Sequence, residues 1–155
     1  MCIRDRIYLS QIPSLFESAA DRAAVLAEAH RILEPGGRAL FSFLSYDVRQ
    51  ADRKLRPFLL YLGALRRLRR SDRDSRLLPR LRTSGRLALG ALRDEGPHTY
   101  WFDNVEAEAA LRAAGFELEA IGTTPQVVAD RMTASAAQLA GAPLAGTLYV
   151  VCRRP

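Results

Sequence analysis

The segment from Asp21 to Tyr46 constrains the fold of this 155-residue chain more than any other part of it. It begins with an alanine-rich stretch that reaches Pro35, and proline disfavours helical geometry in the residue before it. Gly36 and Gly37 follow, and glycine can adopt the positive φ angles that turn a chain back after a helix. The apolar run from Ala39 to Leu44 is too short for a second helix and suits a strand buried on both faces. The segment therefore predicts a parallel, doubly wound α/β sheet.

The helix within this segment is expected to extend from Ser18 to Glu34. Ser18 and Asp21 have the spacing of an N-terminal capping box, with Asp in place of the usual Glu or Gln. Apolar residues recur at helical spacing and predict one apolar stripe, formed by Val25, Ala29, Ile32 and Leu33.

Two further elements are predicted on either side of this unit. A short strand is expected at Ile7–Leu9. A second helix is expected from about Asp52 to Arg70, with Pro57 in its first turn, where proline is tolerated. The apolar stripe of this helix would comprise Leu55, Phe58, Leu62, Leu65 and Leu68. Residues 71–96 are rich in Arg and Leu, and we interpret them as short helices and loops of a basic insertion over 50–96.

The C-terminal third of the chain continues the alternation of helix and strand. Asp103 or Asn104 is expected to cap a helix that runs to Ala114 and ends at Gly115. A strand at 116–121, a helix at 126–139 and a final strand at 147–152 complete the prediction.

Composition is that of a single ordinary globular domain, 48% apolar and 26% charged. No stretch approaches the ~20 apolar residues of a membrane span. Residues 1–6 lack the apolar centre of a signal peptide, so we expect a cytoplasmic location. Cys2 and Cys152 are too few for a disulfide framework, and Cys152 is predicted to be a buried thiol.

The formal net charge of +6 is unevenly distributed. Residues 49–93 carry 14 basic and 3 acidic side chains, and Lys54 is the only lysine among 23 basic residues. Genome base composition is one explanation for the arginine excess. Four arginines gather at the end of the second predicted helix, where the macrodipole favours cations: Arg66, Arg67, Arg69 and Arg70. We favour a solvated helical lid over a substrate pocket. Contact with an anionic membrane surface or an acidic substrate stays open, whereas nucleic acid is disfavoured because few aromatics interleave the arginines.

Three segments together resemble class I S-adenosylmethionine (SAM)-dependent methyltransferases. They are Leu9–Pro13 with the helix after it, Leu33–Arg38 with its strand, and Ala109–Phe116 followed by a strand and the final run TLYVVCRRP. The resemblance implies the C-terminal half of a Rossmann-like sheet, comprising strands four to seven with the last one antiparallel, and a helical Arg-rich insertion. It also implies SAM as cofactor and methyl transfer to a small-molecule or lipid-like acceptor.

The glycine-rich loop that holds the cofactor in that family has no counterpart in this sequence. No two glycines have the spacing Gly-x-Gly, and the acidic residue that would bind the ribose is also missing. We therefore expect a truncated chain that is inactive alone, exposes the edge of its first strand and binds SAM very weakly or not at all. The alternatives are a non-catalytic α/β remnant or partner subunit, and an Arg-rich nucleic-acid-binding module.

The resemblance also implies candidate site residues at the carboxyl ends of the strands. Those assigned to the cofactor are Ser10, Gln11 and Ile12. Those assigned to the substrate are Ser45, Tyr46, Tyr100 and Trp101. His98 is the candidate general base, because imidazole titrates near neutral pH. Each of these could instead have an ordinary loop or packing role. No metal site is expected, since His30, His98 and the two cysteines have no ligand spacing.

Overall fold

The structure is a computed structural model that describes residues 5–83 and 86–155. Its strands are β1 (Arg6–Ser10), β2 (Arg38–Phe43), β3 (Leu77–Pro79), β4 (Arg82–Thr83), β5 (Arg86–Leu87), β6 (His98–Tyr100), β7 (Glu117–Thr123) and β8 (Leu148–Arg153). Its α-helices are α1 (Ala19–Ile32), α2 (Tyr46–Ala51), α3 (Arg56–Leu68), α4 (Asn104–Ala113) and α5 (Thr124–Val128). Short 3-10 helices occupy Ile12–Leu15, Leu89–Arg93 and Ala136–Leu139.

The main sheet has the strand order β1-β2-β8-β7. β1 and β2 are parallel, with Arg6 opposite Arg38 and Ser10 opposite Ser42. β8 lies between β2 and β7 and is antiparallel to both. The mixed α/β class and the antiparallel last strand are therefore confirmed. Within the described residues β1 pairs with β2 alone, so it forms one edge of this sheet.

The apolar core lies at the centre of the main sheet and under the helices that cover it. Phe41, Ser42 and Phe43 are consecutive residues of β2 and all three are buried. Because neighbouring side chains of a strand point to opposite faces, β2 is covered on both sides, as predicted. Cys152 is fully buried in β8, and burial raises the pKa of its thiol to about 12.

Helix α1 confirms the predicted helix but presents a different face to the core. The Ser18 hydroxyl accepts a hydrogen bond from the backbone N–H of Asp21 at 3.4 Å, so Ser18 caps the helix. The buried positions recur every three or four residues and are Arg22, Leu26, Ala29 and Leu33. The predicted stripe was therefore wrong at Ile32, which is exposed. Alanines occupy several faces of this helix, so its rotation is set by tertiary contacts, including those of Arg22.

The basic insertion predicted over 50–96, called the basic segment below, contains one long helix followed by strands. The helix predicted over 52–70 begins at Arg56, with Pro57 in its first turn, as expected. Leu62 and Arg66 are its buried residues, whereas Leu68 is exposed, so the predicted stripe was wrong at its C-terminal end. Residues 71–83 and 86–96 hold short strands and a 3-10 helix, so the prediction of short helices and loops was wrong where strands form. Their geometry depends on long-range pairing, because β3 pairs antiparallel with β6. The delimitation of 50–96 as an insertion stays a prediction.

The C-terminal elements agree with the sequence in all but one segment. α4 is preceded by Asp103, which forms a capping box with Glu106. The helix predicted over 126–139 was wrong in its middle, because α5 ends at Val128 and Asp130 adopts a left-handed conformation with φ 52°. The chain then returns to the sheet, where Thr133 pairs with Ile121. Among residues 5–83 and 86–155, no helix combines the length and apolarity needed to cross a bilayer.

Candidate functional site

The predicted cofactor residues follow β1 and are hydrogen-bonded to β2. The backbone N–H of Gln11 donates to the carbonyl oxygen of Ser42 at 2.9 Å and lies 3.1 Å from its hydroxyl oxygen. The Ser42 hydroxyl donates to the Ser10 hydroxyl at 3.3 Å. Gln11 has φ 57°, which turns the chain out of the sheet into the 3-10 helix that contains Ile12. The three residues therefore lie at the carboxyl edge of the parallel pair.

The segment before α4 joins the same edge. The backbone N–H of Phe102 donates to Leu44 O at 2.8 Å, and the backbone N–H of Tyr46 donates to Phe102 O at 2.8 Å. Ser45 is buried, and its hydroxyl donates to Asn104 Oδ1 at 2.7 Å while it accepts from the backbone N–H of Val48. These bonds bring the ends of β1 and β2 and the segment 98–102 to one end of the sheet.

Tyr100 is buried among charged groups at this edge. Its hydroxyl donates to Glu106 Oε1 at 2.6 Å, and Arg76 Nη1 donates to Glu106 Oε2 at 2.6 Å. Burial and the hydrogen bond to Glu106 raise the pKa of Tyr100 to about 12. The Tyr100 hydroxyl is thus neutral near pH 7 and already has a partner.

Arg22 is a part of this site that our sequence analysis missed. It is buried although it belongs to α1, and its guanidinium carbon lies 3.5 Å from the centre of the Tyr100 ring. Its Nη1 donates to the carbonyl oxygens of Phe16 at 3.1 Å and Glu17 at 2.7 Å. Arg22 thereby connects the loop after β1 with β6 through a cation–π contact and two hydrogen bonds. Its position four residues before the buried Leu26 was the available signal, because that spacing places both on one helix face.

The predicted substrate residues do not line one common pocket. Trp101 lies at a cavity of about 310 Å³, next to Arg49, whose guanidinium carbon is 4.6 Å from the Trp101 ring centre. Tyr46 lines a second cavity of about 290 Å³ with Gln50, Arg56, Leu59 and Leu60. Ser45 and Tyr100 line neither cavity. Substrate contact by these four residues stays a prediction.

A buried ionic network lies next to the candidate base, His98. Arg66 donates to both carboxylate oxygens of Asp94 at 2.7 Å, and both side chains are buried. Arg66 also donates to the carbonyl oxygens of Asp74, at 2.8 Å, and Leu77. Burial opposes ionisation of Asp94, but the hydrogen bonds and charge of Arg66 outweigh it and lower the pKa of the Asp94 carboxyl. We predicted that Arg66 belongs to a solvated cluster, and this was wrong because its side chain is buried.

His98 is held at the margin of this network. Its Nε2 lies 3.0 Å from Arg73 Nη1 and 3.3 Å from Asp94 Oδ1, and its Nδ1 lies 3.8 Å from Glu17 Oε1. Because a guanidinium can only donate and an ionised carboxylate can only accept, Nε2 bonds to Arg73 when it carries no proton and to Asp94 when it carries one. The role of His98 as a general base stays a prediction, and it requires Arg73 to release Nε2.

Comparison with solved structures identifies the fold. A SAM-dependent methyltransferase from Methanosarcina mazei matches with a TM-score of 0.58 at 12% identity, over 97% of this chain and 58% of that one. A SAM-dependent methyltransferase from Thermotoga maritima, described as a possible histamine N-methyltransferase, matches at 0.49 with 14% identity, over 97% and 56%. One from Mesorhizobium loti matches at 0.45 with 20% identity, over 97% and 61%. The chain has a class I methyltransferase fold.

The class I methyltransferase fold is shown by structure alone. No protein-family model matches the sequence, and no curated protein matches it. The chain spans less than two thirds of the length of each of these three methyltransferases.

The glycines that flank β2 and β8 leave no open cradle at the carboxyl edge. Gly36 and Gly37, which carry the turn before β2, lie at the amino end of that strand and not at its carboxyl end. Gly146 lies near the carboxyl edge with φ 72°, but a Cβ on it would clash with Thr124 Oγ1. The space beside Gly146 is therefore filled by protein, and no glycine cradle for a ligand is left there.

Metal-ligating side chains do not converge in the described residues either, where no group of three or more His, Cys, Asp or Glu could hold an ion.

Proposed function

We propose that this chain forms the half of a SAM-dependent methyltransferase that binds the methyl acceptor. The half that holds SAM would be supplied by polypeptide outside these 155 residues. The observation that carries the proposal is the convergence of the end of β1, the end of β2 and the segment 98–102 at one edge of a class I methyltransferase sheet. Gln11 bonded to Ser42 and Tyr46 bonded to Phe102 are the contacts that define this edge. Ligands of open α/β sheets bind beyond the carboxyl ends of the strands, which is the same edge.

The acceptor in this proposal is a small molecule or a lipid-like molecule with an apolar part. The cavity beside Tyr46 supports it, because Leu59 and Leu60 supply apolar surface and Arg56 supplies a positive charge. Methyl transfer is an in-line displacement that depends mainly on alignment and on exclusion of water. The bonds of Ser45 to Asn104 and Val48 hold α2, and with it Tyr46, in a fixed position for such alignment.

His98 would serve only an acceptor that has to lose a proton. In that case Arg73 must leave Nε2, after which the imidazole could accept the proton while Asp94 stabilises the imidazolium. An acceptor that already carries a free lone pair would need no base.

Calorimetry and methyl-transfer assays test the proposal on two proteins. The chain of 155 residues is expected to show no micromolar binding of SAM. A longer product, expressed with the coding sequence upstream of Met1, is expected to bind SAM and to transfer labelled methyl groups. In that longer protein Gln11→Ala should weaken SAM binding, whereas Tyr46→Ala should raise the KM for the acceptor and leave SAM binding unchanged. Gln138→Ala, in the 3-10 helix at Ala136–Leu139, is the matched control.

Two outcomes contradict this proposal. Micromolar SAM binding by the 155-residue chain would show that SAM can bind without the glycine-rich loop. An upstream region without a strand, glycine loop and helix would instead favour a non-catalytic remnant or partner subunit.

A further inference from the structure

Helix α3 has a second apolar face that points away from the protein. Leu62 and Arg66 are its buried residues. Leu60 and Leu68 are 68% and 83% exposed, and Tyr61 is also exposed. At about 100° per residue, these three side chains fall within an arc of about 100° on the side of the helix opposite the buried residues. An ordinary surface helix has polar residues there.

The 3-10 helix at Leu89–Arg93 extends this outer face. The Tyr61 hydroxyl donates to Leu92 O at 2.7 Å, and Arg69 Nη1 donates to Arg93 O at 2.6 Å, so this segment lies against α3. Leu89 is 76% exposed and Leu92 is exposed as well. We call these five side chains the leucine face: Leu60, Tyr61, Leu68, Leu89 and Leu92.

Exposed basic side chains lie in, or close in sequence to, the two elements that carry the leucine face. They comprise Arg53, Lys54, Arg56, Arg67, Arg69, Arg70 and Arg93. Between Asp52 and Glu95 the chain carries 13 basic and 5 acidic residues. Asp94 and Arg66 are buried and paired with each other, so neither adds to the charge of the surface. The leucine face therefore has a strongly positive rim.

We propose that the leucine face docks the protein on an anionic lipid surface. An apolar centre with a basic rim is the pattern of helices that lie in the membrane interface, where leucines enter the acyl region and arginines meet anionic headgroups. A nucleic-acid interface is disfavoured, because leucines occupy the centre of the face and its one aromatic ring, that of Tyr61, is tied to Leu92 by its hydroxyl. This inference holds whether or not the chain takes part in methyl transfer.

Vesicle flotation of the full chain tests the inference. The chain should float with vesicles that contain phosphatidylglycerol but not with vesicles of phosphatidylcholine alone, and binding should weaken as salt is added. The double variant Leu60→Asn with Leu68→Asn should reduce the partition coefficient about tenfold or more, because two leucines no longer enter the acyl region. Arg56→Gln with Arg67→Gln should reduce binding at low salt by a smaller factor and should flatten its salt dependence.

Matched controls separate docking from general effects. Val105→Asn replaces an exposed apolar residue on α4, and Arg131→Gln replaces an exposed arginine outside the basic segment. Both should leave flotation unchanged, and circular dichroism should show the same folded signal for all variants, since every altered side chain is exposed.

Three results would overturn the inference. One is equal flotation with neutral and anionic vesicles, or a leucine double variant that floats like Val105→Asn. Another is a lipid-free dimer that the leucine double variant abolishes, which would show that a second copy covers the face. The third is tighter, salt-dependent binding to duplex DNA or RNA than to anionic vesicles, which would assign the basic rim to nucleic acid.

Discussion

The main sheet and the basic segment bury different kinds of side chain. In the sheet the most buried residues are apolar, such as Phe41, Phe43 and Val150. In the basic segment the buried groups include Arg66 and Asp94, joined by two short hydrogen bonds. Apolar burial is non-directional and scales with area, whereas a buried charge is tolerated only when it is paired and hydrogen-bonded. The first region should therefore lose stability in proportion to the apolar volume removed, and the second should lose it when one charged partner is removed.

The two regions meet at the candidate site. Phe43 of the sheet contacts Phe102 with ring centres 4.9 Å apart, and Phe102 in turn lies 4.9 Å from Tyr100, which is bonded to Glu106. Arg76 of the basic segment donates to the same Glu106 carboxylate at 2.6 Å. The apolar core is thus continuous with the charged groups that hold the segment before α4. Removing single residues on each side of this junction distinguishes the two modes of stabilisation.

The largest effect is expected for Phe43→Ala. The side chain is fully buried between Phe41 and Phe102, so the substitution removes apolar contacts and leaves a cavity. The free energy of unfolding in urea should fall by about 4 kcal/mol. Phe16→Ala, at a partly exposed position, should cost less than about 1 kcal/mol. Similar losses for the two variants would contradict the assignment of Phe43 to the core.

A somewhat smaller loss, about 3 kcal/mol, is expected for Asp94→Ala, because the variant leaves the charge of Arg66 buried without a carboxylate. Urea unfolding at neutral pH measures it, and Asp72→Ala, at an exposed carboxylate, is the control. The double variant Arg66→Met with Asp94→Leu should recover much of the loss, since apolar groups of similar size need no partner. If the double variant were as unstable as the single one, the cost would lie in packing and not in the unpaired charge.

Lowering the pH should gradually remove the contribution of Asp94 to the free energy of unfolding. The pKa of its carboxyl is lowered in the folded protein, so the unfolded chain takes up a proton at a higher pH than the folded one. This carboxylate therefore stabilises the fold above about pH 4, and its contribution declines as the pH falls below that value. The difference in unfolding free energy between the native chain and Asp94→Asn should narrow in that range. A difference that stays constant from neutral pH to pH 3 would contradict the ionic role.

The smallest effect is expected for Tyr100→Phe. The variant loses the hydrogen bond to Glu106, while Arg76 still pairs with that carboxylate, so the cost should be about 1 kcal/mol. The raised pKa of Tyr100 means that the neutral phenol stabilises the fold up to about pH 10 and that this contribution is lost between pH 10 and about 12. Ultraviolet titration should show one of the five tyrosines ionising late, and this late step should disappear in Tyr100→Phe. A late step that persists in the variant would assign it to another tyrosine.

Local patterns predicted most elements of the main sheet. Ser18, Pro35 and Gly36 marked the ends of α1, and the consecutive apolar residues of β2 indicated burial on both faces. Asp103 and Gly115 marked the ends of α4. These signals work because capping, proline geometry and positive φ depend on residues that are close in the chain.

Local patterns failed where long-range contacts decided the structure. The strand β3 forms because β6 is available 20 residues later, and the helix predicted over 126–139 is interrupted because Thr133 pairs with Ile121. At the candidate site, the strand-end positions of Ser10 and Gln11 followed from the predicted order of elements. The roles of Arg22 and Asp94 could not be predicted, since the sequence does not show whether a charged side chain is buried or exposed.

The amino-acid sequence by itself determined the order of helices and strands, the buried central strand and the likeness to methyltransferases, because short-range chemistry sets where elements begin and end. The tertiary structure decided which faces are buried, which arginines are paired inside and which leucines of α3 point outward. Those outcomes depend on groups that are distant in the chain and meet only after folding, so no local spacing encodes them.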